Sequence, residues 1–188
     1  MKKLTILVDM DDTIENLLEA WVQWINTVHG TTVRPKDVTD WNMELAFPTV
    51  SKEKVYEPLL TDYFWYTVSP KEDAVSVLKR ILDDGHSIYI VTTSNYQTLR
   101  TKMDAVLFKY FPYLSWDNVI IAKDKYLISG DVLIDDGVHN LLKGSYRKIL
   151  MNSSHNRSYD AEKNNMTRVN DWYEIYGIIR EMSKGEDI

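Results

Sequence analysis

Three short clusters of oxygen-bearing side chains stand directly after apolar runs of the kind that form buried strands. Asp9 and Asp11 follow Leu4 to Val8, Thr93 and Ser94 follow Ser87 to Val91, and Asp135 and Asp136 follow Asp131 to Ile134. In an open parallel sheet, ligands bind in the crevice outside the carboxyl ends of the strands. Residues in these positions therefore converge. Carboxylates from two different strands would repel one another in a partly desolvated crevice unless a cation held them. Mg²⁺ suits such a place, because it takes hard oxygen ligands and commonly combines one or two carboxylates with a substrate phosphate. Each cluster alone has a plainer reading, Asp9-Met10-Asp11 as a turn or helix cap and Asp135-Asp136-Gly137 as a turn signal. Turn formation does not explain why all three close a strand, so the set is read as functional.

The elements that must position these residues follow from apolar spacing. Leu4 to Val8 is continuous and rich in β-branched residues, as expected of a strand buried on both faces. Leu17, Leu18, Trp21, Trp24, Ile25 and Val28 recur at mostly helical steps, ending near Gly30. From Thr31 to Pro70 the pattern is irregular and aromatic, broken by Pro35, Pro48 and Pro58. Ser69-Pro70 then reads as an N-cap followed by Pro at the first helical position, with an apolar face over Ala74 to Leu82. Beyond it come strands over Ser87 to Val91, Asn118 to Ala122, Asp131 to Ile134 and Arg147 to Met151. Helices are expected over Leu99 to Phe111 and Asp171 to Met182.

Strands separated by helices indicate an α/β fold, a Rossmann-like parallel sheet with helices on both faces. The irregular stretch becomes an insert after the first strand. The expected division is a core of residues 1–14 and 67–188, with a small helical cap over 15–66.

Composition removes several function classes. A net charge of −6 opposes binding to a nucleic-acid polymer, which needs a basic face. The absence of cysteine excludes a thiol nucleophile, a disulfide scaffold and Cys-based metal sites. The apolar start stops at Asp9, too soon for a signal peptide, and no apolar stretch approaches the ~18 residues of a membrane span. A soluble, cytoplasmic protein without a membrane partner is expected, and nothing in the sequence opposes a homodimer.

Asp9-Met10-Asp11-Asp12-Thr13 resembles the first motif of haloacid dehalogenase-type phosphatases, with Thr93 matching the second and Asp135-Asp136 the acidic fourth. Within that superfamily the sequence is similar to the 5′(3′)-deoxyribonucleotidases. Val91-Thr92-Thr93-Ser94, Ala122-Lys123-Asp124-Lys125 and Gly130 to Asp136 carry the similarity, with a weaker match at Ser154-His155-Asn156. Two residues depart from that family's pattern: Asp12 stands where Gly is common, and Asn95 replaces a common Pro.

The resemblance implies a phosphomonoesterase acting on nucleoside monophosphates through an aspartyl-phosphate. Asp9 would be the nucleophile and Asp11 the general acid/base, a role that asks Asp11 to start protonated. Mg²⁺ would be held by Asp9, the backbone carbonyl of Asp11 and Asp135, with Asp136 nearby. Lys125 is the third-motif lysine, preferred to Lys123 by its spacing to Asp135. Thr93 and Ser94 would bind phosphate, together with Lys125. From the insert, Trp41, Phe47, Phe64 and Trp65 are candidates for a base or deoxyribose pocket, Phe64-Trp65 first, although core packing explains any one of them equally well. The alternatives are a phosphatase of the same superfamily acting on another small phosphorylated metabolite, and a non-catalytic binding module of the same fold.

Overall fold

The structure is a computed structural model and describes residues 2–185. Its centre is β1 (Thr5–Val8), which pairs in parallel with both β2 (Ser87–Thr92) and β4 (Val132–Asp135). With β3 (Val119–Ile121), β5 (Arg147–Met151) and β6 (Met166–Val169) the sheet runs β3-β2-β1-β4-β5-β6, every neighbour parallel. The register sets Val8 between Ile90 and Ile134, so the chain segments leaving these strands emerge side by side.

Period-2 alternation explains the continuous apolar run in β1. Ile6 and Val8 pack on one face of the sheet, and Leu7 packs on the other with Val91, Leu133 and Leu150. The first face is covered by α2 (Ala74–Asp83), by α3 over 99–110 and by α4 (Trp172–Lys184). The second carries a thinner layer from Leu141, Tyr146, Ala161 and Met166.

Between β1 and α2 lies α1 (Leu17–His29), closed by Gly30, whose φ of 68° and N–H to Asn26 O form a left-handed cap. One side of α1 joins the sheet's core through Leu17 and Ala20. The other builds a separate cluster of Val22 and Ile25 with Val38, Met43, Phe47 and Val55. Short helical turns at Pro35–Asp37, Met43–Ala46, Lys52–Tyr56, Glu57–Leu60 and Asp62–Trp65 fill the stretch without apolar periodicity.

Three elements differ from the expectation. α2 starts at Ala74 after Asp73 (φ 59°), because Pro70 is engaged in an antiparallel bridge with Glu15 and Asn16 N–H reaches Ser69 O. α3 is broken by a π-turn at Met103–Leu107. β6 was unforeseen; Met-Thr-Arg-Val buries only its first and last residues, a pattern too short for periodicity to separate from loop. Among the described residues no helix is long and apolar enough to cross a membrane.

α4 is tied to the loop after β1 by Trp172, buried to 1% exposure, whose Nε1 donates to Thr13 O at 3.1 Å. Trp172→Ala should lower the unfolding free energy by about 3–5 kcal/mol, and Trp172→Phe by about 1–2 kcal/mol, since Phe refills most of the space but leaves Thr13 O unbonded. Urea unfolding midpoints of the two variants measure both; a Trp172→Phe variant as stable as the parent would show that the hydrogen bond contributes nothing.

Candidate active site

β1 delivers Asp9 and β4 delivers Asp135, and the sheet register makes them neighbours. Asp9 N–H donates to Ile134 O at 2.8 Å, extending the ladder one residue beyond β1. The chain then turns back, with the N–H groups of Thr13 and Ile14 both reaching Met10 O. This turn puts Asp12 at φ 53°, the left-handed region in which Gly and, less often, Asp or Asn are tolerated. Asp12 repays the strain by accepting Leu18 N–H with its two oxygens at 3.0 and 3.1 Å, at the start of α1.

Lys125, 2% exposed, lies between the strand ends. Its Nζ donates to Asp9 Oδ1 and, at 2.6 Å, to Asp135 Oδ2. Asp135 is saturated further by Gly137 N–H at 2.8 Å and by Asn140 Nδ2 at 3.0 and 3.1 Å. Asp136 has fewer donors: His155 Nε2 sits 3.4 Å from its Oδ2. Carboxylate oxygens of Asp9, Asp135 and Asp136 all lie within 4.8 Å of one another. Burial pushes the Asp9 carboxyl up to about 7 against the pull of Lys125, with Asp135 and Asp11 adding to the rise. Burial likewise drives Asp136 well up, with Asp12, Asp9 and Asp135 repelling its charge. Burial works to lower Lys125, but Asp9 and Asp135 more than offset it and hold the ammonium. Three buried carboxylates around one ammonium form a hard-oxygen donor set with negative charge in excess, which fits a divalent cation such as Mg²⁺.

A second charged group lies behind the first. Lys102, 1% exposed on α3, approaches the two oxygens of Asp11 at 2.6 and 2.7 Å, donates to Thr92 Oγ1 at 3.3 Å and lies 4.9 Å from the Trp65 ring centre. Glu15 is fully buried and no donor meets either of its oxygens. Burial raises the Glu15 carboxyl well above its ordinary range, and the adjacent Asp11 raises it further. Sequence reasoning missed both residues. Lys102 left a signal, a charged residue one helical step from Leu99 and Val106 on an otherwise apolar face. Glu15 left none.

Asp11 and the strand-end groups open onto a cleft of about 480 Å³. Asp9, Asp11, Asp12, Asp136 and Thr93 line its floor with Lys125, while Asp135 lies behind. Thr93 Oγ1 donates to Ala122 O at 3.1 Å, and the Ser94 hydroxyl is buried without a partner. Lys123 also lines the cleft but contacts neither strand-end carboxylate. Of the four aromatic candidates only Trp41 reaches the cleft, its ring edge-on to His139 and His155 at 4.5 and 5.1 Å. Phe47 is buried in the cluster beside α1, Phe64 packs on Trp24 and Trp65, and Trp65 backs Lys102. The preference for Phe64-Trp65 is therefore not met. The apolar walls come instead from Leu17, Leu18, Trp21, Val38, Met43 and Tyr56.

The order of strands and the acidic strand ends define a haloacid dehalogenase-like hydrolase fold. It is shared by a HAD family hydrolase from Deinococcus radiodurans R1 with bound phosphate and sodium, at a TM-score of 0.64 and 13% identity over 94% of this chain and 95% of that one. Within this class the chain belongs to the family described as 5′ nucleotidase, deoxy (pyrimidine), cytosolic type C protein, whose sequence profile matches residues 2–184. It is 34% identical to a 5′(3′)-deoxyribonucleotidase of Bacillus subtilis (strain 168) over 177 residues, 93% of this chain and 97% of the relative. A 5′(3′)-deoxyribonucleotidase of Clostridium acetobutylicum is 31% identical over 97% of this chain and 98% of its own length.

Burial lifts Asp12 from 3.8 to about 6, against Lys71 and the Leu18 N–H. A carboxyl raised in the folded state stabilises fully below the unfolded value, and that contribution is lost as pH rises through the folded one. With a chelator present, Asp12→Asn should therefore gain on the parent protein as pH rises from about 4 to above 6, by on the order of 2 kcal/mol. Thermal melts across that window test it; a pH-independent difference would show that Asp12 does not titrate there.

Proposed function

We propose that this protein is a 5′(3′)-deoxyribonucleotidase, hydrolysing the phosphomonoester of deoxyribonucleoside monophosphates with Mg²⁺ as cofactor. The observation that carries the reading is Asp9, buried and held by Lys125, facing a cleft whose far walls are apolar and aromatic. A charged floor and an apolar wall match a ligand with a phosphate at one end and a deoxynucleoside at the other. Family membership supports the same substrate class.

Asp9 attacks phosphorus and forms an aspartyl-phosphate as the bond to the leaving oxygen breaks. Lys125 neutralises Asp9 and the incoming phosphate, and Thr93 with Ser94 supplies hydroxyl donors. Asp11 gives its proton to the leaving oxygen, then takes one from the water that attacks the aspartyl-phosphate and releases phosphate. Lys102 pairs with Asp11, and the adjacent Glu15 carboxyl, raised by burial and by Asp11, is the acid that keeps a proton beside them. Asp9, Asp136 and the Asp11 carbonyl would hold Mg²⁺, while Asp135 keeps Lys125 in place. Asp136 is preferred to Asp135 as a ligand because it faces the cleft and its oxygens are less committed to protein donors. When bound, the cation supplies the positive charge that lets two anions approach. Residues 15–66 act as a cap over a core of 1–14 and 67–188, excluding water from the cleft.

Phosphate release from dUMP or dTMP with Mg²⁺ should exceed that from hexose phosphates and phosphoglycolate at least tenfold in kcat/KM. Equal or better turnover of the sugar phosphates would sink the nucleotide assignment. Asp9→Asn should lower release at least about a thousandfold with an unchanged circular dichroism spectrum. Full activity in that variant would overturn the covalent mechanism.

A further inference from the structure

The turn that follows β5 reaches across to Asp136 with two side chains, His155 and Asn156. Asn156, 2% exposed, donates through Nδ2 to Asp136 O and Met151 O, each at 2.8 Å. Its Oδ1 accepts Ser153 N–H at 3.1 Å and Arg168 Nη1 at 2.7 Å. His155, from the same turn, places Nε2 at 3.2 Å from Asp136 O and 3.4 Å from its Oδ2, while Nδ1 meets Ser153 Oγ at 3.0 Å. Asp136 O can only accept, so the hydrogen bond requires the imidazole proton on Nε2, pointing at Asp136.

Arg168 on β6 holds the turn from behind. Besides Asn156 Oδ1, its guanidinium bonds Asn152 Oδ1 at 3.0 Å, Asn156 O at 3.0 Å and Tyr159 O at 2.8 Å. No carboxylate is among these partners. The guanidinium's fork is spent on fixing chain geometry rather than on an ion pair.

Asp136 is the first residue beyond β4, where ladder hydrogen bonds no longer fix the peptide plane. Its carboxylate direction therefore depends on what holds its own carbonyl. Two side chains do so, and both belong to the turn that Arg168 clamps. We infer that Asn156 is a positioning residue that aims the Asp136 carboxylate at the cation, and that Arg168 acts on Asp136 through Asn156. The inference rests on the reading of Asp136 as a cation ligand. Partners one step removed from a metal ligand commonly alter affinity by about 10–100-fold when removed.

The experiment measures Mg²⁺ affinity of the full chain by calorimetry, with the metal dependence of phosphate release recorded alongside. Asn156→Ala should weaken Mg²⁺ binding about 10–100-fold, and Arg168→Met about 5–10-fold. In both, saturating Mg²⁺ should restore kcat to within about threefold, because the chemistry of Asp9 and Asp11 is untouched. Met166→Ala, in the same strand, should lower the melting temperature and leave Mg²⁺ affinity unchanged. If Asn156→Ala does not fold, Arg168→Met decides the matter. Mg²⁺ affinity within twofold of the parent in the folded variants, with only a lower melting temperature, overturns the inference and leaves the metal site standing. No Mg²⁺ binding by the parent protein overturns the metal site and this inference together.

Discussion

One buried ammonium between two strand ends is the interaction on which the site depends. Parallel pairing of β1 with β4 forces Asp9 and Asp135 to emerge side by side, since Val8 is in register with Ile134. Two carboxylates so placed, each almost free of solvent, would cost several kcal/mol if left ionised and unpaired. Lys125 bonds both. It can do so because a short turn at Lys125–Leu127 directs it inward under the strand ends, instead of out to water where lysines ordinarily point. Asp136 then adds a negative charge that Lys125 cannot balance. On the proposed reading, that third carboxylate is what turns a structural ion pair into a place for a cation and a phosphate.

The same logic recurs one layer back. Lys102 serves Asp11 as Lys125 serves Asp9, and each lysine is overmatched by carboxylates, Glu15 being the extra acid in the second case. Asp9 and Asp11 therefore sit in two different charge environments two residues apart. On the proposed assignment of Asp9 as nucleophile and Asp11 as proton carrier, such a separation suits the two roles.

Charged groups at strand ends were legible in the sequence because few places in a fold can hold them. Asp9, Asp135 and Lys125 follow from apolar runs that stop at a polar residue and from the spacing between them. All but one of the strands were likewise visible, being continuous apolar runs. β6 was not, because its two inner residues, Thr167 and Arg168, are polar and half-buried. Arg168 is polar there for a reason found only in three dimensions, namely the carbonyl groups of the neighbouring turn. The start of α2 was misplaced for a similar cause. Ser69-Pro70 has the composition of a helix start, but a contact with Glu15, distant in sequence, claims it first.

Aromatic side chains resisted reading for the opposite reason. A tryptophan is satisfied equally by a domain core, by the back wall of a charged pocket or by the side of a cleft, and its burial stabilises each similarly. Trp172 is in the core, Trp65 stands behind Lys102, Trp21 lines the cleft, and Trp41 stands at its rim between two histidines. Nothing local separates these cases. Trp65 follows Phe64 in the chain, yet both turn inward, because the short Asp62–Trp65 helix packs on α1 and α3 rather than over the strand ends. Trp41 reaches the rim because its loop is anchored by Ser154 Oγ donating to Pro35 O at 2.9 Å, a contact spanning 119 residues. The floor of the cleft is thus written in charges whose positions admit one solution, while its walls depend on long-range contacts that decide which of several apolar environments each ring occupies.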